Sequence, residues 1–267
     1  ALAAVERLTL KPGKRFRDCP DCPEMMVIPP GRFTQGAAQN DPMARANEQP
    51  PSEVRLARPF AMGLTEVTFA QWDQCVADGA CRAQPRDNGW GRGDRPVILV
   101  NWVDAQAYTA WLSARTGAVY ELPSESQWEY VARAGETGPW VGGSAASVCA
   151  NGNVAAAETG FEWRLAACSD PFSVGTAPTA YFPPNAMGVH DMVGNVAEWT
   201  RDCMNLSYLD APADGSAWER GLCSSRVTRG GSWFSGGQEI RLSARFPLRS
   251  GERNDFTGFR VVRAVDE

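Results

Sequence analysis

The sequence predicts an α+β fold with few helices and much irregular chain, and three observations carry that prediction. Turn formers and aromatics are dense, with 26 glycines, 19 prolines and 10 tryptophans among 267 residues, which suits short segments better than long helices. Three helix-start signals fall in the first half of the chain. From residue 136 onward no helical periodicity appears, only short apolar pieces punctuated by Gly, Pro, Asn and Asp. Helices grouped ahead of a loop-dominated half describe an α+β arrangement. A hydrophobic fraction of 43% is ample for a large core, and there is no internal repeat.

In chain order, residues 1–21 read as an extended arm, closed off at Cys-Pro-Asp-Cys, residues 19–22. Met25 to Gly36, MMVIPPGRFTQG, reads as two strands joined around Pro30-Gly31 as a hairpin. Residues 37–51 are polar and proline-bearing, hence a loop. Thr68 and Gln71 form a capping-box pattern ahead of Trp72 and Cys75, so a helix starts there, preceded by a strand. Asn101 is an N-cap for a second helix with Ala105, Tyr108, Trp111 and Leu112 at helical spacing and a stop at Gly117. Ser124 with Gln127 caps a third, shorter helix through Trp128 and Val131. Gly258 to Arg263, GFRVVR, reads as a final strand.

Charge and composition exclude several function classes. The net charge is −5, the only lysines are Lys11 and Lys14, and the arginines are scattered singly, so no basic stripe meets a nucleic-acid backbone. No apolar run approaches the roughly twenty residues needed to span a bilayer. The opening ALAAVERL resembles what is left after a signal peptide is removed.

Eight cysteines fall into four local pairs: Cys19 and Cys22, Cys75 and Cys81, Cys149 and Cys168, Cys203 and Cys223. Other pairings are open, but short loops close at low entropic cost. Disulfides imply an oxidising compartment, periplasmic or secreted. A zinc site is the rival for Cys-Pro-Asp-Cys; it lacks a second such pair or a histidine pair, because His190 is the only histidine.

Phe182 to Asp202 (FPPNAMGVHDMVGNVAEWTRD), Arg226 to Trp233 (RVTRGGSW), Arg241 to Arg245 (RLSAR) and Thr257 to Arg263 (TGFRVVR) resemble the formylglycine-generating-enzyme, or sulfatase-modifying-factor, superfamily. Upstream, PEMMVIPPGRF, TEVTFAQW, PVILVNWVDAQAYTAWL and LPSESQWEYVARAG continue the match in the family's order, covering roughly residues 22 to 264. The resemblance implies one domain over residues 22–267 of the C-type-lectin-like variety, with small twisted sheets and structural calcium.

Ion binding also has a basis in the residues. Asp191 and Glu198 are seven apart with a glycine between them, which lets carbonyls complete the oxygen shell of a calcium ion. By resemblance, Asp191 and Glu198 bind through side chains and Gly194 and Val196 through carbonyls, with Asp191 standing where the family usually has asparagine. A second family site maps onto Asn153, Val154, Asp170 and Phe172. Without the family, the preferred reading is Asp191 as a turn cap and Glu198 as a solvated acid.

The family's copper-dependent oxidases carry two cysteines in the loop after Gly-Gly-Ser-aromatic. Those positions fall here at Ser235 and near Gly237, and neither replaces the thiolate that copper(I) selects. Copper, and with it cysteine-to-formylglycine conversion, is therefore not expected, and Ala197 stands where those oxidases have tryptophan. A three-histidine iron site is excluded by the single histidine, and no haem, flavin or nicotinamide signal is present. In the loop, Ser232, Trp233, Ser235 and Arg241 are candidate substrate contacts, and Glu239, the one carboxylate between Arg229 and Arg249, is the candidate acid/base. The bland reading makes Glu239 half of a surface ion pair and Arg229, Arg241, Arg245 and Arg260 scaffold that bridges carbonyls and acids. His190 reads as a surface residue or as support for a ligand carboxylate.

Two functions follow as expectations. One is an exported oxidoreductase or maturation enzyme acting on a peptide-like or aromatic small molecule, as in the periplasmic family branch that matures pyoverdine siderophores. The other is a lectin-like binding module without chemistry.

Overall fold

The computed structural model describes residues 10–172 and 174–265. Among them are eleven strands, β1 to β11, and three α-helices. All three helices begin with a reciprocal capping box: Thr68 with Gln71 ahead of α1 (Phe69–Ala77), Asn101 with Asp104 ahead of α2 (Trp102–Thr116), and Ser124 with Gln127 ahead of α3 (Glu125–Arg133). Gly117 closes α2 in the left-handed conformation at φ 70°, which glycine adopts without Cβ strain.

A five-stranded antiparallel sheet has the order β1 (Arg15–Phe16), β2 (Met25–Ile28), β5 (Phe60–Gly63), β11 (Val262–Ala264), β6 (Tyr120–Glu121). A four-stranded sheet runs β10 (Thr257–Gly258), β7 (Ala197–Met204), β8 (Leu222–Arg229), β9 (Arg245–Arg249), with β10 parallel to β7. A ribbon of β3 (Gly31–Gln35) and β4 (Ser52–Leu56) completes the α+β fold.

Three expectations need correction. Met25–Ile28 and Gly31–Gln35 are both strands, but they pair with different partners instead of forming a hairpin. β2 is buried along its whole length while β3 alternates between partly and fully exposed until Gln35, so the chain passes from a core sheet to a surface ribbon. GFRVVR is split between two sheets, because Arg260 turns inward onto Glu198 in the middle of it. The part of the N-terminal arm that falls among the described residues, from Leu10, is packed into the domain: Leu10, Phe16 and Asp18 are buried and β1 pairs with β2. Residues 1–9 of that arm lie outside the described residues.

One apolar cluster lies under α1 and α2, where the Trp72 ring stacks on Tyr108 at 6.0 Å and meets Phe259 edge-on at 6.3 Å. A second gathers Trp128 of α3 with Met192, Ile240 and Leu242. Gly230 sits against that tryptophan with φ 93°; a Cβ there would lie 2.9 Å from the Trp128 ring, so no other residue fits. The four cysteine pairs are those read from sequence, Cys19–Cys22, Cys75–Cys81, Cys149–Cys168 and Cys203–Cys223, and no cysteine is free.

Arginine replaces regular ladders in the irregular half. Arg229, Arg241, Arg245 and Arg260 are all at most 1% exposed. Each holds a carboxylate and at least one carbonyl: Arg229 reaches Glu129 at 2.5 Å and the Leu242 carbonyl at 2.9 Å, and Arg245 grips Glu125 and the Asn47 carbonyl, while Arg241 and Arg260 also donate to the Gln238 and Gly63 carbonyls. A planar guanidinium offers five donors, enough to satisfy buried oxygens that no strand partner reaches.

Candidate functional site

The glycine-rich loop leaves β8 at Arg229 and folds back on itself. Ser235 Oγ accepts from the Ser232 amide at 3.0 Å, Ser232 Oγ accepts from the Phe234 amide at 3.2 Å, and the Ser235 carbonyl accepts from Ala155 at 3.0 Å. The two serine hydroxyls therefore build the turn. Trp233 is buried, and its indole N–H donates to the Asp255 carbonyl at 3.0 Å.

Glu239 stands at the edge of this turn. Its Oε1 lies 3.2 Å from an Arg45 guanidinium nitrogen, and the two side chains are 33% and 32% exposed. Arg45 also covers the Phe246 ring at 4.6 Å. Four acids that pair with the buried arginines, Glu48, Glu125, Glu129 and Glu198, are each at most 2% exposed, and Asp41, 3.6 Å from Arg241, is 10% exposed at its side chain. Glu239 is thus the carboxylate of this loop that solvent reaches.

Beside it Phe234, which suits the binding face of the lectin-like alternative, meets two rings that no sequence pattern marked, Phe161 and Trp163. Phe161 and Trp163 stack at 5.0 Å with a 12° interplanar angle, and Phe234 meets both edge-on at 5.0 Å. The Trp163 indole N–H donates to the Phe234 carbonyl at 2.9 Å. Gly236 separates this group from Glu239: a Cβ on it would lie 2.4 Å from the Trp163 carbonyl oxygen and 3.5 Å from Glu239 Oε2. The signal available in sequence was Gly-Phe-Glu-Trp-Arg, two aromatics in the loop between Cys149 and Cys168.

The candidate acid/base and the candidate substrate contacts separate into two groups. Ser235 and Glu239 are partly exposed, whereas Ser232, Trp233 and Arg241 are buried. Arg241 gives both terminal nitrogens to Glu48, each at 2.6 Å, which is the scaffold position. Two open cavities, of about 1030 Å³ beside Asp73 and Arg92 and about 680 Å³ beside Phe33 and Tyr130, are lined by no residue of this loop.

The two nominated calcium segments meet. The turn at Gly152-Asn153 presses against Val193-Gly194: a Cβ on Gly152 would lie 2.0 Å from the Val193 carbonyl, and one on Gly194 2.2 Å from the Asn153 carbonyl. Asn195 donates its side-chain N–H to Glu66 Oε1 at 3.0 Å and accepts from the Ala177 amide at 2.8 Å. Glu66, within the TEVTFAQW stretch, joins Asp191 and Glu198 to make three buried carboxylates around one arginine. Glu198 is held by Arg260 through both oxygens at 2.7 Å and by Trp128 at 2.8 Å. Burial pushes the Glu66 carboxyl well up, and the neighbouring Asp191 adds to it; burial also raises Asp191. Glu66 Oε2 and Asn153 Oδ1 are buried without a hydrogen-bond partner.

This oxygen-rich, acid-heavy set fits a hard divalent cation. Among the described residues no three carboxylate, imidazole or thiol groups converge on one point, so an ion here would also draw on carbonyls such as those of Gly194, Val196 and Val154. Asp170 accepts from the Phe172 amide at 2.7 Å, and its own amide donates to Glu158. His190 donates its Nδ1–H to the Phe182 carbonyl, 2.8 Å away, and its own carbonyl accepts from Arg260.

A small-sheet scaffold braced by buried arginines, with a Gly-Gly-Ser-aromatic turn at its surface, defines a class, and the comparisons agree. The chain belongs to the formylglycine-generating-enzyme family: the domain described as sulfatase-modifying factor enzyme 1-like matches residues 12–265. Among solved structures it is similar to PvdO from Pseudomonas aeruginosa, with a TM-score of 0.82 and 36% identity over 95% of this chain and 98% of that one. It is 32% identical to the formylglycine-generating enzyme of Mycobacterium tuberculosis over 73% of this chain and 66% of that protein. It is 26% identical to the serine/threonine-protein kinase pkn1 of Chlamydia caviae over 91% of this chain, and spans only 38% of that protein's length. No helix of the described residues is long and apolar enough to cross a membrane.

Proposed function

We propose that the protein is a maturation enzyme of this family that oxidises a peptide-like or aromatic small molecule, a pyoverdine-type siderophore precursor being the expected substrate. Glu239 is the acid/base. The observation that carries this reading is that Glu239 is one-third exposed on the family's loop while Glu48, Glu125, Glu129 and Glu198, which pair with the buried arginines, are shut away from solvent. In a two-electron oxidation by dioxygen, the substrate gives up two electrons and two protons. Glu239 accepts one proton and passes it on, and dioxygen leaves as hydrogen peroxide.

Cysteine-to-formylglycine conversion is not part of this proposal. A hydroxyl stands at Ser235, and all eight cysteine sulfurs are engaged in disulfides, which leaves no thiolate for copper(I). Four disulfides support a periplasmic or secreted location. Calcium, held around Asp191, Glu198 and Asn153, is proposed as a structural ion.

The test is Glu239→Gln, assayed for oxidation of a reduced pyoverdine precursor by absorbance, with melting temperature as the folding control. Loss of turnover in a fully folded variant supports the reading; unchanged turnover sinks it. The Arg45 pairing of Glu239, and its exposure on a loop that lines neither of the two large cavities, favour the alternative, a binding face without chemistry. Substrate binding by the wild type without turnover would establish that alternative.

A further inference from the structure

We infer that Phe161, Trp163 and Phe234 form a subsite that stacks a planar aromatic ring bearing hydroxyl or amino substituents. The inference rests on the proposed function only in placing Glu239 beside that ring. Trp163 is 48% exposed and Phe234 37% exposed, and both belong to irregular chain, where a bulky apolar side chain in water would ordinarily be free to move. Here they are fixed. Phe161 covers one face of the indole, the indole N–H is spent on the Phe234 carbonyl, and Phe234 itself stacks on Phe256 at 6.0 Å.

The backbone around the rings is fixed as well. The Cys149–Cys168 disulfide brackets the segment that carries Phe161 and Trp163. Only hydrogen fits at Gly236, where the two loops touch. The ordering cost of an exposed aromatic surface has thus already been met in the folded protein, the condition under which rigid rings bind with least loss.

The surroundings specify the occupant. The rings offer a π-surface whose indole donor is already used, so they recognise a flat, apolar face rather than a hydrogen-bonding one. Polar groups stand at the margin: Glu239 across Gly236, with Glu162 and Arg164 exposed on either side of Trp163. A hydroxylated ring laid on the platform would keep its substituents at that margin and bring one towards the carboxylate. An aliphatic molecule of the same size and polarity would gain no stacking.

Calorimetric titration of the full, disulfide-intact protein with catechol, and in parallel with trans-cyclohexane-1,2-diol, tests this. Catechol should bind at least about tenfold tighter than the diol, and Trp163→Ala and Phe234→Ala should each weaken it by roughly tenfold, the usual effect of removing one stacking ring. Trp163→Phe, which keeps a ring, should retain most of the affinity, and melting temperatures should stay near wild type because the truncated rings are half-exposed. Equal affinity for the diol, no catechol binding, or unchanged binding in both alanine variants overturns the subsite. Catechol binding is read without turnover, so failure here leaves Glu239 chemistry standing. Conversely, an active Glu239→Gln enzyme that binds catechol refutes only the acid/base role.

Discussion

Arg241 and Glu48 lie 193 residues apart in the chain and meet through two parallel hydrogen bonds of 2.6 Å, fully buried, with Ser243 adding a third donor to the same carboxylate at 2.9 Å. Arg241→Met would strand a carboxylate out of water. We expect a loss of about 3–5 kcal/mol in urea denaturation. The double variant with Glu48→Leu should recover part of that loss, since removing both charges avoids the unpaired acid. A single variant within about 0.5 kcal/mol of wild type, the range of ordinary surface changes, would show that the clasp is not structural.

Asp202 supplies a pH dependence. Its two oxygens accept from the Glu125 and Trp218 amides at 2.7 and 2.8 Å, so it caps the start of α3. Burial, and then the nearby Glu125, push its carboxyl up to about 7. The unfolded chain releases that proton near pH 4. Between those values the folded state holds more protons, so this group's contribution is complete below about pH 4 and is lost as pH rises towards 7, at up to about 1.4 kcal/mol per pH unit. Asp202→Asn should flatten the fall measured by denaturation at pH 5 and pH 7. Parallel curves for the two proteins would refute the assignment.

The disulfides should differ in weight. Cys149–Cys168 spans 19 residues and Cys19–Cys22 only 3. Replacing the first pair by serines should cost about 3 kcal/mol by loop-closure entropy and the second clearly less, read as melting temperatures. The first replacement should also loosen the segment bearing Phe161 and Trp163, and so weaken catechol binding. Retained affinity would mean that the rings hold themselves.

For the proposed calcium, chelation should lower the melting temperature by several degrees and added calcium should restore it, because an ion bound only by the folded state stabilises by mass action. Asp191→Ala should abolish the response. A wild-type protein indifferent to chelator and calcium would sink the proposal.

The sequence disclosed what local chemistry decides. Thr68, Asn101 and Ser124 cap their helices because a cap needs only residues three apart, and cysteines close in sequence found each other. It did not disclose what distant chain decides. Nothing in MMVIPPGRFTQG shows that β2 and β3 have separate partners, since turn residues report a bend and not the strand across from it. In the candidate site, Glu239 and Ser235 were legible from the family loop, and the burial of Arg241 was foreseeable only as the scaffold alternative. Phe161 and Trp163 belonged to an unpatterned loop with no periodicity to mark them. Glu66 gave no sign of joining Asp191 and Glu198, because an acid before a helix reads as solvated until the partner arginine, here Arg260, is placed.

The buried arginine clasps set an order of events on the ribosome. Arg229, Arg241, Arg245 and Arg263 reach back 100, 193, 120 and 245 residues to Glu129, Glu48, Glu125 and Asp18. A nascent chain that has emerged only as far as residue 228 carries all four acids without these four arginines, Glu129 having just Arg133 of its own helix, so it cannot close its irregular half. Synthesis must pass Arg263 before all four clasps can close, and a truncation ahead of Arg229 should yield a proteolytically fragile product.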